Sequence, residues 1–166
     1  MSTVKSVHCH DHFARPRRHR RGKLVHLTES QVKEIADLSF ACTEAERAAA
    51  LKYHVSSERI DLSYCEMSEL LELVDPEPER KLISAVNRLA DEALVELQAL
   101  IWFGRGDDDW QGCLDDAQNY PGWERSGCVQ YVLSKALGRY LTAALKKLER
   151  CAHAARKVTP TAEDSD

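Results

Sequence analysis

Apolar residues recur at intervals of three and four along most of this chain, and they never alternate long enough to describe a strand. Leu94, Leu97, Leu100 and Ile101 form one such stripe. Val129, Val132, Leu133, Leu137, Leu141, Leu145 and Leu148 form another. Residues three and four apart share one face of a helix, whereas a half-buried strand needs a period of two. No hairpin signal of the Asn-Gly type and no internal repeat interrupts the pattern. The spacing therefore predicts an all-α fold, a single compact domain of six to seven helices around one core.

The punctuation between stripes places the elements. Thr28 and Gln31 stand three apart, ahead of Val32, Ile35, Ala36 and Leu38. That spacing predicts a capping box and a helix start. Thr43 with Glu46 repeats the signal, and Ala48 to Leu51 favour continued helix. Residues 55–63 are mixed and polar and read as a connection. Met67, Leu70, Leu71 and Val74 predict a short helix, stopped by Asp75-Pro76-Glu77-Pro78. The two prolines and the acidic pair Glu77 and Glu79 suit the first turn of the next helix, with Leu82, Ile83, Val86 and Leu89 as its face. Asp91 is placed to cap the following helix. There Trp102 and Phe103 extend the apolar face almost all round, so this helix should be the most buried. Gly104 should end it. Asp107-Asp108-Asp109 stands at the start of a helix through Tyr120, which Pro121-Gly122 breaks. The last stripe predicts one long helix, or two with a kink near Gly138.

Charge divides the 166 residues into unequal parts. The net charge is −4, yet residues 1–26 hold seven basic side chains against one acid, a net +6. The remainder, with 16 basic and 26 acidic residues, carries −10. Apolar residues are few and scattered in the first part, too few to offset the entropy of ordering it. Residues 1–24 are therefore expected to be a disordered basic His- and Arg-rich arm, 25–157 a helical domain, and 158–166 a disordered acidic tail. No apolar run approaches the roughly 20 residues of a membrane helix, and a membrane association is not expected. A secretory signal would need an apolar stretch after the arginines, and none follows Arg21. The expected location is cytoplasmic.

The stretch Leu97-Gln98-Ala99-Leu100-Ile101-Trp102-Phe103-Gly104-Arg105-Gly106-Asp107 resembles the signature of a bacterial domain-of-unknown-function family, number three-seven-seven-five. Two flanking stretches are similar to it as well: Val25 to Val32, and Tyr131 to Leu133 followed by Leu137 to Leu141. The resemblance implies a small, soluble, mostly helical bacterial protein and carries no activity with it. Members of that family begin close to Val25, which makes a start at Val25, without the arm, an expectation for this chain too. A peptide covering Ser2 to Arg15, recovered from cells, would overturn it.

Several clusters invite a chemical reading. At Trp102-Phe103-Gly104-Arg105-Gly106-Asp107, turn chemistry accounts for every residue except Arg105. The functional alternative presents Arg105 to a carboxylate or phosphate, with Trp102, Asp107, Asp109 and Trp110 as further binding candidates. Three adjacent aspartates would repel an anion there. They also fail as a calcium loop, because neighbouring helical residues do not converge and no Glu stands at the twelfth position. His8, Cys9, His10 and His12 are metal-ligand types, but no Cys-x-x-Cys pair accompanies them. No metal and no cofactor is expected. Arg15, Arg17, Arg18, Arg20 and Arg21 would suit phosphate contacts with nucleic acid, which the −10 of the remainder opposes. The six cysteines read as reduced, helix-borne small hydrophobes. No residue is assigned as catalytic, since no phosphate loop, metal spacing or triad pattern is present. The expected function is that of a non-enzymatic helical module acting on an unknown protein partner.

Overall fold

A computed structural model describes residues 23–52 and 72–157, with side chains as far as residue 154. Among these residues there are six helices and no strand. They are α1 (Glu29–Lys52), α2 (Glu77–Asn87), α3 (Asp91–Arg105), α4 (Trp110–Gln118), α5 (Arg125–Leu133) and α6 (Leu137–Lys157). The all-α reading holds. The basic arm as far as residue 22, the 55–63 connection, Met67, Leu70 and Leu71 of the short expected helix and the acidic tail lie outside the described residues, while Val74, the last of that helix's stripe, is described and stands just past a helix end at residue 73.

The α1 start follows its sequence. Gln31 N–H donates to Thr28 Oγ1 at 3.2 Å, and Thr28 N–H donates back to Gln31 Oε1 at 2.9 Å, a reciprocal capping box. Thr43 does not open a second helix. Its hydroxyl donates to Ser39 O at 3.2 Å within one unbroken α1. A threonine that can bond the preceding turn is tolerated mid-helix, and the Ala-rich run carries the helix on. Pro78 lies in the first turn of α2, where its missing N–H costs nothing.

The core is built around α3. Leu94, Leu97, Ala99, Leu100 and Ile101 are fully buried, and apolar burial on this scale contributes about 1.5–3 kcal/mol per large side chain. The helix packs against α4, α5 and α6, while α1 covers α6 and α2. Along α6, Leu137, Leu141, Ala144, Leu145 and Leu148 face this core at helical spacing.

Three expected boundaries move. The α3 N-cap is Ala90, without a side-chain cap bond, and Asp91 lies inside the first turn, where it pairs with Arg125. The helix does not end at Gly104 but runs to Arg105. Its cap is Gly106 at φ 102°, a left-handed conformation that suits glycine. Gly104 is needed for a different reason. A Cβ there would stand 2.0 Å from the Tyr140 carbonyl oxygen, so α3 and α6 touch backbone to backbone at this point. The last stripe forms two helices, but the break falls at residues 134–136 rather than at Gly138. Gly138 lies within α6 beneath the ring of Phe40 from α1, and a Cβ there, 2.9 Å from the ring carbons, would require that half-exposed ring to shift.

A candidate aromatic and acidic cleft

The junction between α3 and α4 is a compact piece of local chemistry. Asp109 caps α4 by accepting from Gly112 N–H at 2.9 Å. The capping aspartate is thus Asp109, and Asp107 has another partner. Arg105 Nε donates to Asp107 Oδ1 at 2.9 Å and to Oδ2 at 3.0 Å, with a further ion pair through its terminal nitrogen. The carboxylate holds the Arg105 guanidinium firmly protonated, and Arg105 in turn holds the Asp107 carboxyl below its ordinary range. Both side chains are exposed, so the pair adds only about 0–1 kcal/mol to stability. Its main effect is to occupy the guanidinium that the sequence offered to a ligand.

The aromatic residues divide between core and cleft. Trp110 is buried and meets Phe103 edge to face, centroids 5.8 Å apart. Lys147 of α6 closes the end of α3, donating from Nζ to Phe103 O at 2.6 Å, where a cation complements the negative helix end. Trp102 stays half-buried, and its indole N–H donates to Tyr131 Oη at 2.7 Å. Tyr120 leans across the Trp102 ring at 6.1 Å between centroids.

Two hollows adjoin along this Trp102–Tyr120 pair. The outer, about 480 Å³, is lined by Asp107, Asp108, Asp116, Asn119 and Cys113 together with the two rings. The inner, about 250 Å³, runs between α3 and α5, with Trp123 and Tyr131 as further walls. Gln98 and Cys128 are nearly buried and form its floor, and Glu124 lies at its edge. Of the residues expected from sequence, the structure brings Trp102 and Asp107 to the cleft. Arg105 lies beside it on Asp107, Asp109 serves as a helix cap, and Trp110 belongs to the core. Arg15, Arg17, Arg18, Arg20, Arg21, His8, Cys9, His10 and His12 lie outside the described residues.

Several residues that shape this region carried no motif. Glu96 is 1% exposed on α3, and its carboxylate accepts from the backbone N–H groups of Val25, His26 and Leu27 at 2.8, 2.8 and 2.7 Å. Gln98 accepts from the Cys128 thiol at 3.2 Å. Arg125 reaches from α5 to Asn87 O and Leu89 O at 2.8 and 2.9 Å and pairs with Asp91. The one available signal was composition: Glu96 and Gln98 interrupt a helix otherwise apolar nearly all round, and polar groups in such a place need partners. Among the described cysteines, Cys42, Cys113, Cys128 and Cys151 are all free. Burial pushes the Cys113 thiol up to about 11. It also pushes Cys128 up, partly offset by the Trp123 indole and the Arg125 charge. Among the described residues, no group of three or more His, Cys, Asp or Glu could hold a metal ion, and no helix is long and apolar enough to cross a membrane.

The fold and the cleft together define a class, a small all-helical domain organised around one buried central helix. Residues 79–149 match the model of a family described as a protein of unknown function (DUF3775), the family to which the Leu97 to Asp107 signature pointed. The matched segment runs from within α2 to within α6 and contains every residue lining the two hollows. The Val25 to Val32 opening, also expected to belong to the likeness, falls outside it. No curated protein and no solved structure matches the chain.

Proposed function

We propose that this protein is a non-enzymatic, cytosolic helical module that acts by holding a protein partner. The observation that supports the reading is a groove of about 850 Å³ between α2 and α5. Its floor is apolar, formed by Ile83, Val129 and Leu133, and its rim is polar, with Asn87, Glu124 and Gln130. The two helices touch only lightly, and Arg125 bridges them at one end through the carbonyls of Asn87 and Leu89. An apolar trough with a polar rim suits the apolar face of an amphipathic helix laid along it. Ile83 is a large apolar side chain left exposed there.

The test is capture of partners from the source cells by the full chain and by Ile83→Glu and Val129→Glu variants. One identified protein should be held by the parent and lost from both variants, each of which retains its helical circular dichroism. Equal capture by parent and variants, or recovery of no specific protein, removes this reading.

A further inference from the structure

The inner hollow has a composition that selects for one kind of ligand. Four aromatic side chains wall it: Trp102, Tyr120, Trp123 and Tyr131. Aromatic faces carry negative quadrupole potential and attract cations. Tyr131 already shows this behaviour, with Lys135 Nζ standing 4.5 Å from its ring centroid.

The charges lining the space point the same way. Glu124 lies at the inner hollow, and Asp107, Asp108 and Asp116 line the outer one that shares Trp102 and Tyr120 with it. No Lys, Arg or His lines either hollow among the described residues. The nearby Arg105 is engaged by Asp107, and Arg125 is engaged by Asp91 and two backbone carbonyls. Three carboxylates without an ion-pair partner among the described residues, and a fourth already held by Arg105, disfavour an anion. A bare metal ion would find aromatic walls in place of converging oxygen or nitrogen ligands.

The lining adds a polar requirement. Gln98 is 4% exposed, and its carboxamide makes one hydrogen bond among the described residues, accepting from the Cys128 thiol. The buried side-chain polar atom left without a partner among the described residues is the Trp123 indole nitrogen, on the wall of the same hollow. A hydroxyl on a ligand would supply the missing acceptor.

We propose that this hollow binds a small organic cation that carries a hydroxyl, an amino alcohol or its quaternary ammonium counterpart. The cationic head lies against Trp102, Tyr120, Trp123 and Tyr131, and the acidic outer hollow draws it in. The hydroxyl oxygen accepts from the Trp123 indole N–H. This site shares only Glu124 with the Ile83–Val129–Leu133 trough, and the two can fail independently.

Gly127 offers a clean way to test it. It lines the inner hollow, and a Cβ there would meet nothing within 4 Å, so a side chain can begin there without its Cβ meeting the fold. Choline chloride is titrated into the full chain while tryptophan fluorescence and heat are recorded. Alongside it runs 3,3-dimethylbutan-1-ol, which has the same shape and hydroxyl without the charge. Choline should bind saturably, and the neutral analogue about tenfold or more weaker, the discrimination that a desolvated cation–π contact supplies. Gly127→Leu should lose choline binding while keeping its thermal transition, and Gly127→Ala should retain both. Should Gly127→Leu fail to fold, Tyr120→Ala decides, since that ring is 52% exposed and its removal should weaken choline binding while sparing the core. The proposal is overturned by absence of saturable choline binding, by equal binding of the neutral analogue, or by undiminished binding in the folded blocking variant.

Discussion

Glu96 stands in the middle of the most apolar helix, and its two carboxylate oxygens collect three backbone N–H groups from the segment that precedes α1. The Leu27 N–H would otherwise be buried without a partner, and Leu27 is itself in the core. The residue therefore ties the chain's entry to α1 onto the centre of the fold. Glu96→Gln keeps the shape but turns an NH2 group toward N–H donors. We expect it to cost about 1–3 kcal/mol in urea unfolding and to speed amide exchange at Val25 to Leu27. An unchanged midpoint and unchanged exchange would show that the carboxylate bonds contribute nothing net. The cysteines supply a second prediction at this scale. A thiol whose pKa is raised has less thiolate at any given pH, and the thiolate is the species that reacts. At pH 8, maleimide labelling of the folded protein should reach exposed Cys151 well before buried Cys113 and Cys128, as read by peptide mass spectrometry. Prompt labelling of Cys113 would contradict its burial.

Elements were legible where their chemistry is local. Thr28 and Gln31 announce α1 because a capping box is complete within four residues, and the apolar stripe of α3 announces its burial. The same local rules failed where a distant element intervenes. Gly104 has the sequence look of a helix stop, yet its role is set by Tyr140 of α6, thirty-six residues further on. Asp91 has the look of a cap, yet Arg125 of α5 claims it. Backbone contact between α3 and α6 makes Gly104 intolerant of even one methyl group, since a carbonyl cannot move aside as a flexible side chain can. Gly104→Ala should therefore lower the thermal midpoint, with a cost of about 1–3 kcal/mol from overpacking, although alanine is the better helix former. A midpoint raised by this change would mean that α3 and α6 do not approach as described.

For the molecule as a whole, the uneven charge poses the main question, because a +6 segment precedes a −10 remainder. Contacts that hold the described fold begin at Leu24, Val25 and Leu27. Deleting residues 1–24 should accordingly lower the unfolding midpoint only by the contact of partly buried Leu24, whereas deleting through Leu27 should lower it further by removing the bonds to Glu96. Retention on a nucleic-acid column in low salt tests the arm separately. Equal retention of the full and the 1–24-deleted chains would dismiss Arg15 to Arg21 as a phosphate-contacting segment.

Sequence alone determined the all-helical class, the caps of α1 and α4 within a residue or two, the dominance of α3 in the core and the likeness carried by Leu97 to Asp107. Each of these follows from neighbours within about two helical turns, where periodicity and capping chemistry act. The tertiary structure decided what the polar residues do. It gave Arg105 to Asp107, buried Trp110 against Phe103, set Glu96 against the entry to α1, and gathered Trp102, Tyr120, Trp123 and Tyr131 around Gln98. Those partnerships join residues from separate helices, so they depend on how the helices pack, which no spacing along one of them records.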